Sequence, residues 1–200
     1  MFRIRKVYDD TSAANRDAIA QVLAIMRQQF PNVRDEDLDK LPNQLHDPMR
    51  YRYRTILFVT ENAYGKLKGF AVLLHMPDLN IAYLELISAA PGKTGGGIGG
   101  VLYERIRDEA KALRVSGLFF ECSVDDPEVC ADPGTLKQNS SRLRFYERYG
   151  VRPIIGNDYA TPVHPGDRDL HVLKIYRHHF LPLLTSKCYD TTSPPISKPT

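Results

Sequence analysis

Four short segments before residue 90 are rich in apolar residues, a pattern that predicts β-strands. The four segments are residues 2–7, 55–60, 68–76 and 81–89. Apolar residues recur at helical spacing over 19–30, which predicts a helix with Thr11 or Ser12 as its N-cap and Pro31 just past its end. Residues 35–47 predict a second helix, ended by Asp47 and Pro48.

The second half of the chain predicts two further helices and two further strands. Helical spacing is strong from Ile98 to Leu113, directly after a glycine-rich turn. The other segments are a strand at 118–122, a polar loop at 124–138, a helix at 141–149 and a strand at 170–176. The Ser/Thr/Pro-rich segment 185–200 cannot build a core, so we expect one α+β or α/β domain over 1–184 and a mobile tail.

Composition narrows the class of protein without naming a partner. The chain has 200 residues and a mass of 22.7 kDa, which fits one domain. No apolar run is long enough for a membrane span, no secretory signal is visible, and three cysteines are too few for a disulfide framework or a zinc site. We therefore expect a cytoplasmic protein that binds no membrane and no metal.

Charge gives no sign of a nucleic-acid site. The net charge is +3, and the basic residues are spread along the chain except where Arg50, Arg52 and Arg54 alternate with Tyr51 and Tyr53. Such an alternation is more often a solvated face than a surface for phosphates and stacked bases. We predict no nucleic-acid partner.

The glycine-rich turn at 92–100 predicts a phosphate site. Six of its nine residues are glycine, and a helix follows, so backbone N–H groups and the positive end of a helix dipole are available to an anion. Gly95, Gly97 and Gly100 fit G-x-G-x-x-G, with Glu121 about 20 residues later. An NAD(P)-dependent oxidoreductase is therefore one alternative, although residues 91–94 separate these glycines from the preceding strand.

Two motifs in one order carry a more specific resemblance. Pro91-x-x-Thr94-x-x-Gly97-x-Gly99 resembles the acetyl-CoA pyrophosphate loop of the GNAT superfamily of N-acetyltransferases. The segment Asn139-Ser-Ser-Arg-Leu-Arg-Phe-Tyr-Glu-Arg-Tyr-Gly150 resembles the second signature of that family, with Arg142 in place of alanine. The resemblance covers residues 2–176 and implies a layered α/β/α fold with a mixed, mostly antiparallel central sheet.

The same resemblance implies acetyl-CoA as cosubstrate and assigns residues to it. The backbone of the glycine-rich turn would hold the pyrophosphate, with Thr94 at the usual arginine or glutamine position. The residues of this cradle are Thr94, Gly95, Gly96, Gly97, Ile98, Gly99 and Gly100. The pantetheine arm would lie along the preceding strand against the backbone of Ile87 and Ala89, and Asn139 would bond it unless Asn139 is only a helix N-cap.

The resemblance also implies direct attack by a primary amine, which requires an acid and a base. Tyr146 matches the tyrosine that protonates the departing thiolate, the alternative being a tyrosine that only packs. Glu85 is our candidate base because apolar neighbours raise the pKa of a carboxyl group and because alternation places it with Ile87 and Ala89. The alternative is a solvent-facing strand position, and Glu121 and His75 are further candidates.

The acceptor is an amine of a small molecule or a peptide, and nothing in the sequence chooses between them. Acidic residues at 125–132 would favour a cationic amine if they border the site, but they also suit turns and helix caps. A homodimer is left open. A non-catalytic acyl-CoA-binding module is a second alternative, which predicts cofactor binding without turnover.

Overall fold

The computed structural model of the chain describes residues 2–30, 34–92, 96–128, 130–155, 161–162, 170–171 and 173–179. The helices are α1 (Ala13–Gln29), α2 (Asp35–His46), α3 (Ile98–Ala112) and α4 (Pro133–Glu147), with a turn of 3-10 helix at Pro77–Leu79. The strands are β1 (Arg3–Val7), β2 (Arg54–Glu61), β3 (Leu67–Met76), β4 (Ile81–Ala89), β5 (Gly117–Ser123), β6 (Arg152–Pro153), β7 (Thr161–Pro162), β8 (Leu170–His171) and β9 (Leu173–His179). Among the described helices, none combines the length and apolar character needed to cross a membrane.

Seven of these strands form one sheet in the order β1-β2-β3-β4-β5-β9-β6. Every neighbouring pair in it is antiparallel except β4 and β5, which are parallel. Strands β7 and β8 pair separately. The prediction of a mixed, mostly antiparallel sheet is confirmed.

Helices cover both faces of the sheet, as the layered fold requires. On one face, Leu102 and Ile106 of α3 and Leu143 of α4 are buried in a core with the sheet. On the other face, Val22 of α1 and Leu41 of α2 are buried in a second core. The sheet is therefore the shared wall of two cores, and its exposed parts are confined to edges and gaps.

The helix boundaries follow capping chemistry, and one prediction is wrong. Ser12 caps α1, as predicted, its Oγ accepting from the backbone N–H of Asn15 at 3.1 Å. The last helix begins at Pro133 and not at 141, because Asp132 Oδ2 accepts from the Thr135 N–H at 2.7 Å and proline suits the first turn. Asn139 lies inside α4, so it is not an N-cap.

The last predicted strand is also wrong in extent. Residues 170–176 do not form one strand: Leu170–His171 pairs with β7, whereas Leu173–His179 pairs with β5. The predicted tail at 185–200 lies outside the described residues, so the domain boundary stays a prediction.

Gly69 sets how closely the start of α3 approaches the sheet. A Cβ added at this position would lie 2.7 Å from Ile98 Cγ2 and 2.8 Å from the backbone oxygen of Ser88. Contacts that short do not occur in packed interiors, and the Ser88 oxygen belongs to β4, which cannot move independently of the sheet.

We expect Gly69→Ala to lower the free energy of unfolding by about 1–3 kcal/mol through overpacking, measured by urea denaturation. Gly99→Ala is the matched control, because a Cβ at Gly99 meets nothing within 4 Å and alanine favours a helix over glycine by about 0.5–1 kcal/mol. Equal effects of the two substitutions would contradict the close approach at Gly69.

Candidate functional site

A cleft opens where β4 and β5 part. Their pairing covers only Ile81–Tyr83 against Gly117–Phe119, although both strands continue beyond it. The cleft has a volume of about 330 Å³. Its walls are the later parts of both strands, the end of α1 and one side of α4: Gln29, Phe30, Leu84, Glu85, Leu86, Ile87, Ser88, Phe120, Glu121, Cys122, Gln138, Arg142 and Tyr146. The β4 backbone is therefore open to a ligand along its β5 side.

A bulge at Glu85 changes which face each β4 side chain occupies. Pairing with β3 passes from Leu84 opposite Leu73 to Leu86 opposite Val72, so Glu85 is an extra residue in β4. Leu84 and Ile87 both pack into the core beneath α3 and α4, although an unbroken strand would place them on opposite faces. Glu85 instead reaches α2, so its predicted placement with Ile87 and Ala89 is wrong.

The helix α3 begins beside the end of β4 with an exposed N-terminus. Gly97 is its N-cap at a φ of 75°, a left-handed conformation that favours glycine, and its backbone oxygen accepts from the Val101 N–H at 3.1 Å. The N–H groups of Ile98, Gly99 and Gly100 point out of the helix end and have no acceptor within the helix. These groups can hold an anion. Of the predicted cradle, Thr94 and Gly95 lie outside the described residues, as does Lys93.

Tyr146 reaches the cleft from α4 through an aromatic cluster. Its ring packs 4.4 Å from that of Phe120 and 5.0 Å from that of Tyr103, measured between centroids, and the residue is 4% exposed. Burial raises the pKa of Tyr146 well above its ordinary value, Cys122 adds to this, and Arg142 opposes it. The phenol is therefore protonated at neutral pH and can donate into the cleft. Tyr146 therefore both packs in the core and lines the cleft.

Cys122 also lines the cleft, but its chemistry is unsuited to covalent catalysis. Burial raises the pKa of its thiol to about 12, with Arg142 opposing the shift. A thiol with that pKa holds almost no thiolate at neutral pH, and the thiolate is the nucleophile. This agrees with an acyl transfer that does not pass through cysteine.

Asn139 holds the end of β5. Its Nδ2 donates to the backbone oxygen of Val124 at 2.9 Å, both residues are buried, and the cleft is lined by the neighbouring Gln138. This bond satisfies a backbone acceptor just after the last residue of β5. The predicted contact between Asn139 and pantetheine stays a prediction.

The carboxylate of Glu85 is paired with an amine. Lys40 Nζ of α2 donates to Glu85 Oε1 at 2.5 Å, and the Glu85 side chain is 21% exposed. Partial burial lowers the pKa of Lys40, but the hydrogen bond and charge of Glu85 outweigh it and raise the pKa above the ordinary value. Glu85 is thus neither a residue among apolar neighbours nor a purely solvent-facing one.

Glu121 is the second carboxylate of the cleft, and Tyr83 fixes its position. The Tyr83 hydroxyl donates to Glu121 Oε1 at 2.5 Å, which joins the last paired residue of β4 to a residue of β5 just beyond the pairing. Like Lys40, Tyr83 is a site residue that the sequence alone did not indicate. His75, the other candidate base, does not line the cleft, and burial lowers its pKa.

Two carboxylates of the acidic segment after β5 accept hydrogen bonds from backbone N–H groups. Asp132 caps α4, and Asp126 Oδ1 accepts from the Glu128 N–H at 2.9 Å. Within the described part of the chain, no group of three or more His, Cys, Asp or Glu side chains is placed to hold a metal ion.

Comparisons with known proteins agree with this geometry. The family model described as "Acetyltransferase (GNAT) family" matches residues 19–131. A comparison with curated proteins finds no significant match. Solved structures that share the fold include Tetrahymena GCN5, at a TM-score of 0.60 and 13% identity, covering 90% of this chain and 98% of that one. An acetyltransferase from Streptococcus agalactiae reaches 0.58 and 20%, with coverage of 90% and 98%.

A third structure sharing the fold is the PaiA N-acetyltransferase of Thermoplasma acidophilum in complex with coenzyme A. Its TM-score is 0.55 at 14% identity, covering 90% of this chain and 99% of that one. At these identities the structural likeness concerns the fold.

We expect Asn139→Ala to lower the free energy of unfolding by about 1–3 kcal/mol, because the buried Val124 oxygen loses its donor. Gln138→Ala, an exposed neighbour on the same helix, should change it by less than about 0.5 kcal/mol. Both values come from denaturation without ligand. A stability loss at Asn139 no larger than at Gln138 would remove its role at the end of β5.

Proposed function

Because the chain belongs to the GNAT family of acetyltransferases, we propose that it moves an acetyl group from acetyl-CoA to a primary amine by direct attack within a ternary complex. The observation that carries this proposal is the cleft between β4 and β5, which combines an open strand edge, a helix N-terminus and a buried tyrosine.

Each part of an acyl-CoA has a matching feature in or beside the cleft. The exposed N–H groups at Gly99 and Gly100 would hold the pyrophosphate, and the arm would lie along β4 against the backbone of Ile87 and Ala89. The pantetheine arm contains amides, so it can form with the later part of β4 the same kind of backbone hydrogen bonds that β5 forms with residues 81–83. Gly96 and Gly97 would complete the phosphate cradle.

Tyr146 is the proposed acid. The amine nitrogen attacks the thioester carbon, the carbon–sulfur bond breaks, and the Tyr146 hydroxyl gives its proton to the departing thiolate. Burial raises the pKa of Tyr146, so the phenol stays protonated at neutral pH and its proton is available as the thiolate forms. Solvent then returns the proton to the phenolate.

Glu85 is the proposed acceptor of the amine's proton. Its carboxylate lines the cleft and already binds the ammonium group of Lys40. The position of Glu85 therefore suits a substrate amine that arrives as a cation. Glu121, fixed by Tyr83, adds a second carboxylate to the same wall. Both observations favour a cationic amine of a small molecule or a peptide.

The dinucleotide-binding alternative does not fit the sheet. A Rossmann core needs a mostly parallel sheet, whereas β4 and β5 are the single parallel pair among the described strands. The acyl-CoA-binding module without catalysis shares the fold and is separated from our proposal by turnover.

We expect acetyl-CoA to raise the unfolding temperature of the full chain and NADH to leave it unchanged. A ligand at a hundredfold excess over its Kd adds about 2.7 kcal/mol to the native state, which a thermal scan detects. Stabilisation by NADH alone would contradict the proposal.

In a panel of primary amines, Tyr146→Phe should lower kcat by about 10²-fold or more and change the affinity for acetyl-CoA little, because only the proton transfer is lost. Tyr103→Phe is the matched control: it removes a buried hydroxyl that has no hydrogen-bond partner among the described residues, from the same aromatic cluster but outside the cleft. Acetyl-CoA binding with no turnover of any amine by the unmodified protein would instead establish the non-catalytic module.

A further inference from the structure

Lys40 holds a primary amine against Glu85, one of the residues that line the cleft. Its Nζ lies 2.5 Å from Oε1 of Glu85, a residue that lines the cleft, and its side chain is 48% exposed. The amine is therefore on the surface of the protein next to the strand along which the acyl arm is proposed to run. It belongs to the chemical class that the proposed reaction consumes.

We propose that Lys40 is a self-acetylation site, at which the protein transfers an acetyl group from acetyl-CoA to its own Lys40 Nζ. This inference rests on the proposed function. The nitrogen of Lys40 forms an amide bond with the acetyl carbon, the thioester carbon–sulfur bond breaks, Glu85 takes the proton lost by the amine, and Tyr146 protonates the thiolate. The products are Nε-acetyl-Lys40 and free CoA, so no further reactant is needed.

Two features favour this lysine over the others. Lys40 is ion-paired with Glu85, the carboxylate that we propose binds the substrate amine. The amine of Lys40 therefore lies where the amine of an external substrate would bind. Tethering to α2 makes the reaction intramolecular, and a held amine reacts far faster than a dissolved one at ordinary concentrations. Acetylation removes the positive charge of Lys40, so the product no longer forms an ion pair with Glu85.

The chain contains two internal controls. Lys6 Nζ is also ion-paired with a glutamate, lying 3.0 Å from Glu109 Oε2, but this pair joins β1 to α3 and does not line the cleft. Lys111 is exposed on α3, so its acetylation measures the non-enzymatic reaction of a surface lysine with acetyl-CoA. A preference for Lys40 over both separates the effect of the cleft from ion pairing and from exposure.

The rate of the reaction should rise with pH. The groups acting on Lys40 are Glu85 from β4, Asp37 from its own helix and Tyr53 from the segment before β2. Together they keep the amine protonated above its ordinary range, so the reactive neutral fraction grows about tenfold for each pH unit between 7 and 9. The expected acetylation rate follows that growth.

The test incubates the purified full chain with acetyl-CoA and no added amine, and follows acetylation by intact mass and peptide mapping. We expect one acetyl group at Lys40, added at least about tenfold faster than at Lys6 or Lys111, with a first-order rate constant that does not depend on protein concentration. Lys40→Arg keeps a cation for Glu85 but should abolish the mass gain, and Tyr146→Phe should slow it.

Failure of this inference and failure of the proposed function give different results. A protein that is stabilised by acetyl-CoA and acetylates added amines, yet modifies Lys40 no faster than Lys6 and Lys111, overturns the inference alone. A first-order rate constant for Lys40 that rises in proportion to protein concentration also overturns it, because transfer then occurs between molecules. A protein that neither binds acetyl-CoA nor acetylates any amine overturns the proposed function, and the inference with it.

Discussion

The separation of β4 from β5 is the constraint on which the rest of the site depends. Backbone amides inside a sheet need partners, and beyond Tyr83 and Phe119 these two strands stop supplying them to each other. The bulge at Glu85 lies within this unpaired stretch, and the exposed N-terminus of α3 follows shortly after β4 ends. A ligand that has amides along its length and phosphates at one end can satisfy both features, which is why this gap supports our proposal of an acyl-CoA cosubstrate.

The same gap gives the site two chemically different sides. Tyr146 approaches from the face covered by α3 and α4, where burial keeps its phenol protonated. Glu85 approaches from the face covered by α1 and α2, where Lys40 balances its charge. In our proposal the acid and the base therefore enter the cleft from opposite faces of the sheet, and the thioester would lie between them.

Much of this architecture could be predicted because its signals are local. Short apolar-rich segments predicted the strands before residue 90 to within one or two residues, and the glycine-rich turn marked the start of α3. The start of α4 was missed because Asp132 and Pro133 suit a loop as well as a helix N-terminus. Lys40 could not be found from the sequence, since its partner is 45 residues away and only the packing of α2 on the sheet joins them.

The bulge in β4 also affects how substitutions along that strand distribute. Before Glu85, the even-numbered residues Ala82 and Leu84 face the core beneath α3 and α4; after it, the odd-numbered Ile87 and Ala89 do. The positions of β4 that tolerate polar side chains are therefore odd-numbered before Glu85 and even-numbered after it. Deletion of Glu85 alone would straighten β4 and leave Ala82, Leu84, Ile87 and Ala89 in regular alternation on one face. The core beneath α3 and α4 would then keep its side chains, while the cleft would lose a carboxylate.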